Sequence, residues 1–478
     1  MTFNSITFLA FFVVVSILVL ITNVKFKIEQ DKIIKLRHII LLIASYIFYG
    51  WWNWKCAFLM LGLTFIAYWT STKADKTNNK IYLCIGIICP LVILGIFKYF
   101  NFFIDSFSYV FGITNTMSLN IILPVGISFY TFQSMSYTLD VHRKQIACEK
   151  DFIKLALYIS FFPQLVAGPI VKSKDFIHQL YEDRNINWSN FKTGIQIFVF
   201  GLFKKIVIAD NISVCVDAVF ALPQKFHALS IIMAVIGYSI QIYCDFSGYS
   251  DMAIGSSKIL GYDLMRNFNL PYVAKNISAF WKRWHISLST WLQEYLYISL
   301  GGNRKGEIRT YINLFLTMLI GGLWHGASWT FVLWGALHGI ALCIHKLWMK
   351  LTKHDKNYKG TIVGNICSIV VTYLFVSFCW IFFRAENFEI AKNIIFGIAK
   401  WQDGIVYVSS WTILGIICVV VSTLFAYIRA LLKKTEIDGF YPTVNLETVY
   451  GMSLLFVAIG VCFMLAYTGS SPFIYFQF

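Results

Sequence analysis

Apolar runs of about 20 residues recur along this 478-residue chain, and short polar loops separate them. A transmembrane helix needs about 20 apolar residues, whereas the strands of an outer-membrane barrel alternate over about 10 positions. The pattern therefore predicts an all-α polytopic membrane protein with about 10–11 transmembrane helices. The runs fall at about 7–23, 38–54, 56–71, 81–100, 119–140, 193–221, 228–247, 361–383, 411–428 and 447–467.

Three further stretches do not fit simple spans and indicate re-entrant or interfacial helices: 152–168, 285–300 and 311–345. The last would measure about 50 Å as one straight helix, which is too long for one crossing. It carries no Asp, Glu, Lys or Arg, and basic residues flank it on both sides. We expect Gly321-Gly322 and Gly326 to break it near the centre, giving a hairpin or broken helix pair with His325 near the apex. Two tightly turned full spans are the alternative.

The basic residues predict the orientation. Lys and Arg concentrate in loops 24–37 and 72–80, and loop 101–118 has none. Basic residues return after the next run, at Arg143, Lys144, Lys150 and Lys154. Basic loops stay in the cytoplasm, so the amino terminus is predicted outside. The run 7–23 has no basic segment before it and no Ala-x-Ala-type site after it, which indicates a retained span and not a signal peptide.

The amino-acid composition also indicates a membrane protein and not a soluble one. The chain is 58% hydrophobic and 13% charged, whereas a soluble domain has about 25% charged residues. The net charge is +16, and the basic residues that produce it lie in loops between apolar runs. The charge therefore does not predict a nucleic-acid partner. The eleven cysteines include no CxxC pair and are interpreted as small hydrophobic residues. No phosphate-binding loop and no Gly-x-Ser-x-Gly nucleophile motif occurs.

His325 is the first candidate for chemistry, because it lies in the long uncharged stretch within Trp324-His325-Gly326. Imidazole has a pKa near ~6.5 and can act as a general base at neutral pH. Polar groups in a membrane interior are costly and mark functional sites. A packed core histidine is the alternative. His338 and His345 lie on one side of a predicted helix, but no carboxylate or cysteine set completes a zinc site, so no metal is predicted.

His285 is the second candidate, in the segment from Phe280 to Trp291. Charges precede the apolar part of this segment, and tryptophan is typical of membrane interfaces. The pattern predicts an interfacial helix entering from the cytoplasmic side. The alternative is an interfacial anchor in which the histidine is incidental.

Several charged residues adjoin apolar runs. Asp245 and Asp251 are predicted at the cytoplasmic end of a span, where Asp245 either orients a histidine, holds a lysine or faces loop water. Lys204 and Lys205, near Asp210, either extend to an interface or pair internally. Arg384 is predicted to be a boundary anchor.

The chain resembles the membrane-bound O-acyltransferases, and within them the alginate O-acetylation group. The resemblance rests on segments that span about 120 to 390. These are Leu123 to Gln133, Phe161 to Ile170, Gly201-Leu202-Phe203-Lys204-Lys205, Tyr243 to Gly255, Trp281 to Gly302, Trp324 to Trp329 and Phe382-Phe383-Arg384-Ala385.

The resemblance implies a catalytic His325, a second family histidine at His285, and a ring of helices around a central tunnel. It implies a catalytic core at 119–390 within a single integral membrane domain, with peripheral helices at 1–118 and 391–478. The tunnel candidates are Trp324, Trp329, Trp284, Asp245, Ser247, Asn303 and Gln133.

The function expected from this resemblance is transfer of an acyl group, with acetyl favoured, in a bacterial cytoplasmic membrane. The co-substrate is an acyl thioester, either acetyl-CoA or a carrier-bound acyl group, with no tightly bound cofactor. The acceptor is a hydroxyl of an exported cell-surface polysaccharide or of an extracytoplasmic relay protein. D-Alanyl transfer to teichoic acid, a polysaccharide-precursor transporter or flippase, and a scaffold in an export complex are the alternatives.

Overall fold

The computed structural model describes residues 1–23, 29–113, 118–119, 121–166, 168–353, 361–435, 437–469 and 473–474. Regular structure within these residues is helical, apart from one isolated bridge between Phe226 and Ile405. The prediction of an all-α protein is therefore confirmed. Lys25 and Lys27, which were used to predict the orientation, lie outside the described residues. So do Lys356 and Lys359, two of the basic residues that follow the stretch 311–345.

Six helices of the described residues are long and apolar enough to cross a membrane, which confirms a multi-pass membrane protein. The total of about 10–11 spans stays a prediction. The six candidate spans are Gln30–Gly50, Lys80–Phe111, Ala228–Ile259, Trp329–Thr352, Ile362–Arg384 and Ser410–Lys433.

The chain forms two compact units, and the predicted boundaries near residues 118 and 390 stay a prediction. The first unit comprises 1–199, 249–265 and 443–448. Its aromatic core includes Phe8, Phe48 and Phe162, whose rings lie within 6.4 Å of one another. Its helices are α1 Ile6–Ile21, α2 Gln30–Gly50, α3 Trp54–Thr77, α4 Lys80–Leu94, α5 Phe100–Phe111, α6 Ile127–His142, α7 Phe152–Ser160, α8 Phe162–Leu165, α9 Ser173–Phe176 and most of α10 Trp188–Leu202.

The second unit comprises 200–248, 266–442 and 449–478, and it contains both candidate histidines. The helix α12 Ala228–Ile259 begins in this unit and ends in the first. The remaining helices of the second unit are α11 Asp210–Ala221, α13 Ile277–Trp281, α14 Ile286–Trp291, α15 Glu307–His325, α16 Trp329–Thr352, α17 Ile362–Arg384, α18 Phe388–Ala399, α19 Ser410–Lys433 and α20 Val449–Leu465.

Two stretches predicted to differ from simple spans do so. The stretch 152–168 forms α7 and α8, which are interrupted at Phe161. The stretch 285–300 forms α14 and a π-helical segment, Leu292–Tyr297. By contrast, the apolar run 119–140 becomes helical only at Ile127.

The stretch 311–345 forms the predicted helix pair, α15 and α16, and Gly326 ends the first helix as expected, but the expected role of Gly321 and Gly322 is wrong. Gly321 and Gly322 lie inside α15, which continues to His325. A Cβ on Gly322 would lie 2.4 Å from the Phe331 carbonyl oxygen and 2.9 Å from the Gly335 Cα. Gly322 therefore lets the two helices pack closely, and the chain turns only at Gly326, whose φ of −164° is extended. At about 1.5 Å per residue the two helices measure about 28 and 36 Å. Only α16 is among the six candidate spans, so the choice between a broken pair and two full spans stays a prediction.

The sequence predicted Asp245 and Asp251 at the end of a span, but the structure places both residues elsewhere. They lie inside α12, which extends twelve residues beyond the predicted run and ends at Ile259. Small residues explain the extension, since a Cβ on Gly248 would lie 2.7 Å from the Gly201 carbonyl oxygen. Close backbone contact of this kind buries a helix whose composition is not strongly apolar.

Candidate active site

His325 lies at the carboxyl end of α15, where the chain turns into α16. Ser328 caps α16 by accepting a hydrogen bond from the Thr330 backbone N–H at 3.3 Å. The His325 side chain is 3% exposed. Its ring lies 5.0 Å from Trp324, 5.1 Å from Trp334 and 5.2 Å from Phe383, each at a steep interplanar angle. The candidate base is therefore enclosed by aromatic rings.

His285 lies between α13 and α14, so the segment is not the single interfacial helix that the sequence predicted. His285 has φ 41° and ψ 56°, a left-handed conformation that is uncommon for residues other than glycine. Its side chain is 0% exposed. The interpretation of an incidental interfacial anchor does not fit a ring buried this completely.

Asn267 fixes the orientation of the His285 ring. Its Oδ1 lies 3.1 Å from His285 Nδ1 and accepts hydrogen bonds from Ser287, from the backbone N–H at 3.2 Å and from Oγ at 2.9 Å. A backbone N–H can only donate, so the atom facing it is the amide oxygen. His285 Nδ1 must then carry the proton, and Nε2 is the basic nitrogen of the neutral ring. His285 lies outside the six candidate spans, and burial lowers its pKa to about 3, so the ring is neutral at pH 7.

The two histidines lie together. Their ring centroids are 6.5 Å apart, and Trp324 contacts both, at 6.0 Å from His285 and 5.0 Å from His325. Trp284 is buried 4.9 Å from Trp380, which stacks on Trp334 at 5.7 Å. The structure therefore gathers four of the predicted site residues into one buried ring cluster: His285, His325, Trp324 and Trp284.

Asp245 holds a lysine, which was one of the predicted alternatives. Lys205 Nζ lies 2.6 Å from Asp245 Oδ1 and 2.6 Å from Asp210 Oδ1, and all three side chains are buried. Asp245 Oδ2 also accepts a hydrogen bond from the Ile474 backbone N–H at 2.9 Å. The prediction that Asp245 faces loop water is wrong, and internal pairing of Lys205 is confirmed. Phe246, next in sequence, places its ring 4.6 Å from His285.

The remaining predicted residues have other surroundings. Ser247 accepts a hydrogen bond from Lys204 Nζ at 2.9 Å. Trp329 is 55% exposed at the start of α16. Asn303 is exposed and accepts a hydrogen bond from Tyr297 at 2.5 Å. Gln133 is buried in α6 of the first unit.

Some residues around the two histidines had no predicted role. Asn267 lies 18 positions before His285, and no sequence signal links it to that ring. Trp334 and Phe383 contact His325 from α16 and α17. Phe383 belongs to a segment that carries the family resemblance, which could have identified it. Arg384 pairs with Asp217 at 2.7 Å at the end of α17.

No group of three or more His, Cys, Asp or Glu side chains that could hold a metal occurs among the described residues. His345 lies 3.0 Å from Ser278 Oγ, and His338 packs among aromatic rings.

The model of the membrane-bound O-acyltransferase family matches residues 148–383. The chain is 37% identical to a Pseudomonas putida protein named "Probable alginate O-acetylase AlgI", over 92% of this chain and 94% of that protein. The chain belongs to the membrane-bound O-acyltransferase family. It is also 40% identical to the peptidoglycan O-acetyltransferase of Helicobacter pylori, over 75% of this chain and 72% of that protein. Identity to the teichoic acid D-alanyltransferase of Bacillus subtilis is 28%, over 56% of this chain and 71% of that protein.

As a membrane-bound O-acyltransferase the protein is an enzyme that uses an acyl donor as co-substrate. The matched region contains both histidines, Asn267 and Trp334. Gln133 lies before it. The family match therefore includes the buried ring cluster.

Proposed function

We propose that the protein transfers an acetyl group from a cytoplasmic thioester to a hydroxyl of an exported cell-surface polysaccharide. The observation that carries the proposal is the buried His325, held 6.5 Å from His285 inside the family-matched region. The names of the Pseudomonas putida and Helicobacter pylori relatives support acetyl as the acyl group and a cell-envelope polymer as the acceptor.

His325 removes the proton from the acceptor hydroxyl in the proposed reaction. The oxygen attacks the thioester carbonyl, an O–C bond forms, and the C–S bond breaks. The proton then passes to the departing thiolate, which leaves as a free thiol. The negative carboxyl end of α15 stabilises the imidazolium that forms in between. His285 presents the Nε2 lone pair and so helps hold the positive charge that develops on His325, and a buried site strengthens such contacts and excludes water.

The proposal places the protein in a bacterial cytoplasmic membrane with its amino terminus outside and the basic loops in the cytoplasm. Donor and acceptor then approach from opposite sides through the tunnel that the family resemblance implies. The acceptor is the polysaccharide itself or a serine of an extracytoplasmic relay protein.

D-Alanyl transfer is the second candidate, because the teichoic acid D-alanyltransferase of Bacillus subtilis is also similar. Its lower identity of 28% favours acetyl transfer. The hypothesis of a transporter rests on the polar groups within apolar runs. One of these groups, Lys205, is paired with Asp210 and Asp245. That pairing weakens the transporter hypothesis.

The test uses the purified protein in detergent with acetyl-CoA labelled in the acetyl group and deacetylated alginate oligomers. We expect thiol release and labelled ester with the wild type. The variant His325→Ala should lower the rate by about 10²–10⁴-fold, the usual contribution of a general base. His345→Ala is the matched control on α16 and should retain activity.

Full activity of a folded His325→Ala variant would contradict the assignment of the base. Movement of an oligomer across vesicles, with no thioester consumed, would support the transporter instead.

A further inference from the structure

Two residues that follow α20, Phe473 and Ile474, are buried in the second unit, which also contains both candidate histidines. Phe473 is 2% exposed and Ile474 is 4% exposed. By contrast, only Gly451 and Cys462 are buried along α20 itself. The two residues also lie after position 383, where the family match ends. Contacts other than those of α20 must therefore hold this 473–474 segment in place.

The first of these contacts is made by an aromatic ring of α12. The Phe473 ring centroid lies 5.8 Å from that of Phe246. Phe246 is 0% exposed, and its ring lies edge-on to two others, 4.6 Å from His285 and 5.0 Å from Phe268. Phe473 is therefore separated from the His285 ring by a single side chain.

The second contact is a hydrogen bond to the residue before Phe246. The Ile474 backbone N–H donates to Asp245 Oδ2 at 2.9 Å, while Asp245 Oδ1 lies 2.6 Å from Lys205 Nζ. An ionised carboxylate accepts at both oxygens, so one side chain serves the ion pair and the 473–474 segment together. Two consecutive residues of α12 thus hold the two residues of the segment.

The chain between α20 and the 473–474 segment is also attached near the ion pair. Asn211 Nδ2 donates to the Leu465 carbonyl oxygen at 2.9 Å, and the Tyr467 backbone N–H donates to the Ile206 carbonyl oxygen at 3.3 Å. Ile206 follows Lys205 in sequence, and Asn211 follows Asp210. These bonds fix the course of the chain before it reaches Asp245.

The His285 ring needs a support of this kind, because one hydrogen bond does not fix the plane of an imidazole. Asn267 directs Nδ1, which leaves rotation of the ring about that bond. The Phe246 ring, at 89° to His285, limits this rotation. Phe246 does so only while its own ring is held, and Phe473 packs against it. Aromatic contacts of this geometry contribute beyond the burial of their area.

We infer that Phe473 is a positioning residue for acyl transfer: it holds Phe246 against His285 and so keeps Nε2 in the orientation that the reaction uses. The inference rests on the proposed function. It assigns no contact with donor or acceptor to Phe473, which acts only through Phe246.

The experiment measures thiol release from acetyl-CoA with deacetylated alginate oligomers, for the full chain purified in detergent. We expect Phe473→Ala to lower kcat by about three- to tenfold, the range that one aromatic contact contributes. The KM for acetyl-CoA should stay unchanged, because no substrate contact is removed. Phe473→Leu keeps apolar bulk and should recover part of the loss.

A double-mutant cycle tests whether Phe473 acts through Phe246. In the Phe246→Ala background, replacing Phe473 should lower kcat little further, because the ring that it holds is already absent. The cycle is run with both Phe473→Leu and Phe473→Ala, so the leucine variant decides the question if the alanine variant does not fold. An equal loss of kcat in both backgrounds would contradict the inference.

Phe220→Ala is the matched control. Phe220 is 3% exposed, belongs to the same unit and makes a similar contact with α12, at 5.9 Å from the Tyr238 ring. Its thermal midpoint should fall about as far as that of Phe473→Ala, while its kcat stays at the wild-type level.

The remaining outcomes separate the possible failures. An unchanged kcat in Phe473→Ala, with a lower thermal midpoint, would mean that the 473–474 segment only fills the core. A raised kcat would mean that the segment restrains the enzyme, which also contradicts the inference. Absence of thiol release by the wild type would instead overturn the proposed function.

Discussion

The two neighbouring histidines are held in opposite ways. His285 sits on left-handed backbone and is oriented by Asn267 through Nδ1. His325 ends a regular helix and is bounded by the rings of Trp334 and Phe383, at contacts that do not depend on which nitrogen carries the proton. The hydrogen bond through Nδ1 keeps the His285 ring in one tautomer, in which Nε2 is the basic nitrogen. This arrangement supports a fixed role for His285, and the proposed reaction assigns proton transfer to His325.

The polar surroundings of His285 adjoin a buried ion pair. Phe246 contacts the His285 ring, and its neighbour Asp245 pairs with Lys205. A buried charge pair therefore includes the residue that precedes Phe246 in α12. The other side, around His325, is built from aromatic rings and close helix packing.

The largest expected effect comes from removing the buried cation. Lys205→Met leaves Asp210 and Asp245 buried without their shared partner, and such changes destabilise proteins by about 3–5 kcal/mol. Thermal unfolding of the detergent-purified protein measures the loss. Lys204→Met is the control, since Lys204 is only partly buried and bonds to Ser247. Equal stability of the two variants would mean that the ion pair does not stabilise the fold around His285.

A smaller effect is expected from releasing the His285 ring itself. Asn267→Ala removes the acceptor that fixes the Nδ1 proton, and we expect kcat to fall by about tenfold while stability changes less than in Lys205→Met. Ser287→Ala is the control, because it leaves Asn267 in place and removes one of its donors together with a longer contact of 3.4 Å to His285 Nδ1. If both variants kept wild-type kcat, the fixed tautomer of His285 would have no catalytic importance.

The sequence predicted the surroundings of His325 better than those of His285. The long uncharged stretch around His325 identified both the helix pair and its histidine, because apolar length is a strong signal. The orientation of His285 could not be predicted, since α13 and α14 contain only five and six residues and are positioned by tertiary contacts. Asn267, which is distant in sequence, provides one such contact.

The burial of Asp245 inside the protein could not be predicted either. Its helix continues past the apolar run through Ser, Gly and Asp residues, which a hydropathy pattern assigns to a loop. Close approach at Gly248 and pairing with Lys205 bury this part of α12. Trp329 shows the converse, because a tryptophan inside the family motif is 55% exposed.

The last of these effects tests the close packing of α15 and α16 with two adjacent glycines. In Gly322→Ala the new Cβ would meet the backbone of Phe331 and Gly335, which cannot move aside alone, so we expect a loss of about 1–3 kcal/mol. Gly321→Ala meets only the Leu292 Cδ1 at 3.1 Å, a flexible side-chain end, and alanine favours helix by about 0.5–1 kcal/mol. Thermal unfolding of both proteins should therefore show a lower midpoint for Gly322→Ala alone. Activity should fall with it, because Phe331 packs on Phe383, which contacts His325. Equal midpoints would mean that the helix pair tolerates separation, and the ring enclosure of His325 would then not depend on the glycine contact.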